Sequence, residues 1–176
     1  KLFISLAERT YEHAFEQGYS FVIGVANANS TQGFLKKLCF QHVGSLDVKI
    51  GSGKLRRFNN HFSCSYMRLW DDASLQWRIN DPFHHYKVSA NRIYSPTVKL
   101  GIRSILGEFR ADSLARICNR PSSLLSPVIL YIGIDSSINW KKSCFVSIPD
   151  RLKTSPLNLI FRDLTGKGTT IDKGNI

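Results

Sequence analysis

The sequence predicts an α/β chain of α+β character, a mixed sheet flanked by helices, and three observations carry that expectation. Residues 2–17 place Phe3, Leu6, Ala7, Thr10, Tyr11 and Ala14 at three- and four-residue spacing, the period of a helix with one apolar side. Residues 21–26, Phe-Val-Ile-Gly-Val-Ala, form an unbroken apolar run, the pattern of a strand covered on both faces. Residues 43–50 alternate, with Leu46, Val48 and Ile50 on one side and Asp47 and Lys49 on the other.

The first helix has a stop at Gly18 but neither a starting Met nor an N-cap residue before it, so the chain is expected to begin inside an element. After the apolar strand, Asn27-Ala28-Asn29-Ser30 supplies turn formers and helix caps, and a short helix should run through Phe34, Leu35 and Leu38. The order helix, strand, short helix, strand is expected to build one shared sheet. Gly51-Ser52-Gly53-Lys54, followed by Arg56-Arg57, interrupts the pattern and divides the chain into residues 1–51 and a second α/β lobe, 52–176. In that lobe a helix is expected within 66–80, stopped by Asp81-Pro82, and another at 112–119, capped by Asp112. Strands are expected near 85–89, 98–109, 128–134, 144–148 and 157–161. The polar, glycine-containing tail Thr165–Ile176 should be loose.

Composition narrows the function classes. With 43% apolar and 21% charged residues among 176, the chain can bury a core and is not disordered overall. Its longest apolar stretches are too short to cross a bilayer, no signal-peptide pattern opens it, and no membrane partner is expected. Cys39, Cys64, Cys118 and Cys144 lie too far apart in sequence for a metal-type spacing or a dense disulfide framework, which fits a reducing cytoplasm.

The net charge is +11, distributed as +1 over residues 1–50 (five Lys/Arg, four Asp/Glu) and +10 over 51–176 (nineteen and nine). Such a surplus attracts coenzyme A phosphates, nucleic acid or an acidic partner. Arg57-Phe58, Arg68-Leu69-Trp70, Trp77-Arg78 and Phe109-Arg110 set aromatic beside basic residues, as stacking platforms for single-stranded nucleic acid require. A basic nucleic-acid-binding module is therefore one expectation, although no recognised motif of that kind is present. His84-His85 are neighbours whose side chains would point to opposite faces of a strand, and Arg103, Arg110, Arg116 and Arg120 form either an acidic-ligand site or a solvated basic face.

Gly18-Tyr19-Ser20-Phe21-Val22-Ile23-Gly24-Val25-Ala26-Asn27, then Ser30, then Phe34-Leu35-Lys36-Lys37-Leu38-Cys39-Phe40, together resemble the second half of a GNAT acetyltransferase domain, over roughly residues 1–51. In that family a buried strand ends in an Asn-containing turn, and a short helix closes with a Lys-Leu-Gly-Phe type sequence. The resemblance implies acyl transfer from acetyl-CoA, or another acyl-CoA, to an amine of a small molecule or sugar. It also implies a sheet that splays open beside the buried strand to admit the pantetheine arm. By similarity Asn27 would hydrogen-bond the amides of that arm, with Asn29, Ser30 and Phe34 as further cofactor-binding residues. The alternative is that the asparagines only cap a turn.

Three departures qualify the resemblance. The family's glycine-rich pyrophosphate loop would fall upstream of Lys1. The Tyr that protonates the leaving thiolate in many members is replaced by Phe34 or Leu35, neither of which can give a proton, so no catalytic residue is assigned. The motif's Gly is Cys39, expected to be a buried structural thiol. The second departure favours a further alternative, a degenerate GNAT fold kept for assembly or protein contacts. Trp77-Arg78-Ile79-Asn80-Asp81-Pro82-Phe83-His84-His85-Tyr86 further resembles a segment of two-lobed members of the same superfamily.

Overall fold

The computed structural model describes residues 2–58, 66, 71–83, 86–89, 92–94, 102–108, 128–153 and 155–176. It is an α+β structure with a three-stranded antiparallel sheet, a six-stranded mixed sheet and flanking helices. The chain divides into two compact units, one of residues 1–46 with 149–176 and one of residues 47–148. This division differs from the boundary expected at 51/52, which falls inside a strand. The last 28 residues belong with the first 46.

In the first unit, helix α1 (Leu2–Glu16) is closed by Gly18 at φ 87°, with Tyr19 N–H reaching back to the Ala14 carbonyl at 3.0 Å. Strand β1 (Phe21–Asn27) leads into helix α2 (Ala28–Lys37) and strand β2 (Gln41–Ser45). The sheet order is β1-β9-β2, where β9 is Leu157–Asp163. Thus β1 and β2 do not meet. Every residue of β1 from Phe21 to Asn27 faces a partner in β9, and β2 pairs the other side of β9.

One side of this sheet carries the helices. Ala26, Leu38, Phe40 and Ile160 are buried there, with Ile4, Ala7 and Tyr11 of α1 and Val22, Phe34 and Leu35 packed against them. The α1 stripe is rotated from the expected one: Ile4, Ala7 and Tyr11 face inward, while Phe3 and Leu6 are exposed. Arg162 of β9 ties the helices to the sheet. Its guanidinium lies 4.8 Å from the centre of the Tyr11 ring, and its Nη1 donates to the Leu38 carbonyl at 2.9 Å, at the C-terminus of α2. Burial pushes the Tyr11 phenol up, against the opposing pull of the Arg162 charge.

Two expectations for this unit are corrected. The apolar run of β1 is not covered on both faces: Phe21, Ile23 and Val25 are 41%, 44% and 55% exposed. They occupy alternate positions on the side opposite the helices, where an apolar run mimics a doubly covered strand. The alternating stretch 43–50 is not one strand. It breaks at Leu46, because residues 41–45 pair with β9 whereas strand β3 (Asp47–Ser52) joins the other sheet. The run therefore does not build one shared sheet.

The tail is also ordered, contrary to its composition. The Asp163 carboxylate accepts from Thr165 N–H (2.9 Å), Thr165 Oγ1 (2.7 Å) and Thr169 N–H (2.9 Å). Gln41 then pairs with both the N–H and the carbonyl of Ile171, which is buried. Polar groups that look unstructured in sequence satisfy one another around a single carboxylate.

The second unit holds helix α3 (Asp72–Ile79), capped by Asp71 onto Ser74 N–H at 2.7 Å, and the sheet β4-β5-β6-β7-β3-β8. Its remaining strands are β4 (Lys87–Ser89), β5 (Arg92–Tyr94), β6 (Ile102–Glu108), β7 (Val128–Gly133) and β8 (Phe145–Ser147). Among the described strands, only the β6–β7 ladder is parallel. Leu55, Tyr94, Ile105, Tyr131, Ile138 and Phe145 form its core, with Ile129 and Trp140 packed against them. The helix expected at 112–119 lies outside the described residues, as do His84, His85, Arg110, Arg116 and Arg120.

At Gly51 the strands β3 and β8 approach so closely that a Cβ would meet the Cys144 carbonyl oxygen and lie 2.6 Å from Phe145 Cγ. Gly51→Ala should lower stability by about 1–3 kcal/mol, read as a shift in urea midpoint. Gly33→Ala, in the interior of α2 with open space around it, should raise stability by about 0.5–1 kcal/mol. The Asp163 carboxyl is held down from 3.8 to about 2 by the hydrogen bonds of Thr165 and Thr169. A depressed carboxylate contributes stability above its unfolded value and loses it as pH falls from 3.8 to about 2. Asp163→Asn should remove that acid-labile component from a pH series of thermal melts.

Candidate functional site

The residues singled out by resemblance meet at the junction of β1 and α2. Asn27 ends the strand and is the N-cap of the helix, with φ −78° and ψ 171°. Its Oδ1 accepts from Ser30 N–H at 2.9 Å and from Ser30 Oγ at 3.0 Å. Its carbonyl accepts from Thr31 Oγ1 at 2.7 Å. Among the described residues, Asn27 Nδ2 donates to no protein group. One half of the amide is thus committed to the helix start, and the donor half is left over.

The same helix start is tied to the returning C-terminal segment. Ala28 N–H donates to Ser155 Oγ at 3.1 Å, and Asn158 Nδ2 donates to Thr31 Oγ1 at 3.0 Å. Ser155 and Asn158 lie 127 residues further along the chain, and no local signal links them to Asn27. Ala28 N–H and Ser30 N–H are thus satisfied by side chains, while among the described residues the Asn29 N–H of the same first turn bonds to no protein group.

The structure brings Asn27, Asn29 and Ser30 together at this turn, with both asparagines exposed. Phe34 lies a turn further on and packs in the core, its ring 6.2 Å from Phe3 and 5.3 Å from Phe40, each in edge-on contact. Leu35 packs in the same cluster. Strand β9 pairs with one edge of β1 over the whole length of the strand. Among the described residues the opposite edge of β1 pairs with no strand, leaving a row of backbone donors and acceptors beside the Asn27 amide.

The helix closes in an unusual way. Cys39 has φ 52°, the left-handed region that favours glycine, and among the described residues it is the one non-glycine there. The N–H groups of Leu38 and Phe40 both donate to the Phe34 carbonyl at 3.2 Å. Cys39 is exposed, not the buried thiol expected, because the turn points it outward while Leu38 and Phe40 on either side go into the core.

Among the described residues, no group of acidic, histidine or cysteine side chains could hold a metal ion, and no helix is long and apolar enough to cross a membrane. Of the aromatic–basic pairs, Trp77-Arg78 lies on α3, with the Arg78 guanidinium 5.6 Å from the Trp77 ring centre and 5.4 Å from that of Tyr86.

No family model matches the chain, and no curated protein matches it. Among solved structures it is similar to a proposed acetyltransferase from Thermoplasma acidophilum, with a TM-score of 0.39 and 10% identity. That match covers 91% of this chain and 62% of the other, so the chain spans less than two thirds of that protein's length.

The backbone at position 39 makes a direct prediction. Cys39→Gly should raise stability by about 0.5–1 kcal/mol, since relief of left-handed strain exceeds the added freedom of the unfolded chain. Cys39→Val should lower it by about 1–2 kcal/mol, because a β-branched residue tolerates this region poorly. Denaturant titration of both variants beside the parent chain tests the pair.

Proposed function

We propose that this chain is part of an acyl-CoA-dependent N-acyltransferase that carries an acetyl or related acyl group to an amine of a small molecule or sugar. The observation supporting it is local: a strand ending in Asn27, a short helix, and a closure in which Cys39, where the resembling motif has glycine, holds a left-handed backbone conformation that favours glycine.

In this reading the pantetheine arm lies along the open edge of β1, not in a gap between strands. Extended backbone groups pair with its amides as an added strand would, and Asn27 Nδ2 donates to one of its carbonyls. Asn29 and Ser30 flank the same contact. Phe34 acts from behind, fixing the helix that carries them through its packing on Phe3 and Phe40. Bound acyl-CoA supplies the activated thioester, and the chain's contribution is to position that group beside an amine. Neither Phe34 nor Leu35 can donate a proton, so the leaving thiolate is protonated from another source.

A second reading, a GNAT-like fold kept for protein contacts, is favoured by the exposed apolar residues Phe21, Ile23 and Val25. Calorimetric titration of acetyl-CoA into the chain separates the two. Asn27→Ser keeps the cap acceptor but loses the amide donor, so it should weaken saturable binding by about tenfold with an unchanged melting temperature. Asn27→Ala should in addition cost about 1 kcal/mol of stability. Absence of saturable binding would remove the acyltransferase reading for this chain and leave the contact reading.

A further inference from the structure

The second unit carries fifteen of the chain's Lys and Arg residues against seven Asp and Glu. Part of this excess is gathered at one place. A hollow of about 500 Å³ is lined by Lys54, Leu55, Arg56, Arg57, Phe58 and Lys142. Arg57 is neutralised, its Nη1 2.7 Å from Asp135 Oδ2 and also bonded to Ser137 Oγ. Among the described residues, Lys54, Arg56 and Lys142 pair with no carboxylate. Three cations therefore share one concavity, and the Phe58 ring beside them is 43% exposed.

Hydrogen bonds tie the backbone of this segment to residues 137–143. Arg56 N–H donates to Ser143 Oγ at 3.0 Å, and the Arg56 carbonyl accepts from Asn139 N–H at 2.7 Å. Phe58 N–H donates to the Ser137 carbonyl at 2.9 Å, and Asn139 Oδ1 caps the turn at Lys142 N–H. Leu55 is buried in the core, while Lys54, Arg56 and Phe58 are exposed.

We propose that this hollow binds a nucleoside diphosphate, with Lys54, Arg56 and Lys142 on the phosphates and the Phe58 ring against the base. Clustered unpaired cations select phosphate, and an aromatic face at their side selects a ligand with a flat ring. A volume of about 500 Å³ is room enough for one nucleotide. The site is independent of the acyltransferase reading, since none of its residues belongs to the β1–α2 junction.

The test is calorimetric titration of ADP into the full chain at low and moderate salt, with inorganic pyrophosphate and a ten-residue oligothymidylate as comparison probes. Saturable ADP binding is expected, about tenfold or more weaker in Arg56→Gln and in Lys142→Gln with melting temperatures unchanged. Phe58→Leu should weaken ADP but not pyrophosphate. Lys167→Gln, an exposed lysine of the other unit, should change nothing. The proposal is overturned if ADP does not bind, if Lys167→Gln costs as much as Arg56→Gln, or if the oligonucleotide binds more tightly per nucleotide than ADP. Acetyl-CoA binding lost on Arg56→Gln but kept in Asn27→Ser would place the ligand here and would count against the β1 edge alone.

Discussion

The pairing of β9 between β1 and β2 is the constraint on which the first unit depends. Leu159, Ile160 and Phe161 are three consecutive buried residues, so both faces of this strand are covered. Ile160 lies on the helix side with Ala26, Leu38 and Phe40, while Phe161 lies opposite Ile23 on the other side and meets the Phe21 ring at 5.5 Å. Arg162 adds a cation over Tyr11 and a hydrogen bond to the end of α2. Without β9, neither β1 nor β2 would have a partner among the described strands.

That arrangement explains how a long insertion is tolerated. Residues 47–148 leave and return through neighbouring points of one sheet, where Leu46 N–H bonds to the Leu157 carbonyl at 2.8 Å. Closing a loop grows costlier only logarithmically, about 0.6 kcal/mol for each doubling of length, so an inserted unit of this size is affordable when it has its own core. The inserted unit does, in the cluster around Tyr131, Phe145 and Leu55.

The turn at Asn27 shows structure and candidate function drawing on one side chain. Its oxygen starts the helix, and among the described residues its amide hydrogens bond to no protein group. The closure at the other end of α2 is less economical, since Cys39 carries a backbone conformation suited to glycine. Strain at such a position persists only where neighbours over-determine it, and here Leu38 and Phe40 are both locked in the core on either side.

Local pattern by itself determined much of the secondary structure: α1 with its Gly18 stop, β1 and its Asn27 terminus, the short helix after it, and strands at β6, β7, β8 and β9. Those elements follow from spacing, caps and turn residues within a dozen positions, and the sequence carries such signals directly. It also placed Asn27, Asn29 and Ser30 at one turn. It could not place Ser155, Asn158 or Arg162 beside them, because their partners lie more than a hundred residues away. Partnership between strands is decided by burial and register across the whole fold. Only the tertiary structure therefore decided that the alternating run 43–50 splits between two sheets, that β1 is covered on one face, and that the tail is tied through Asp163 and Gln41.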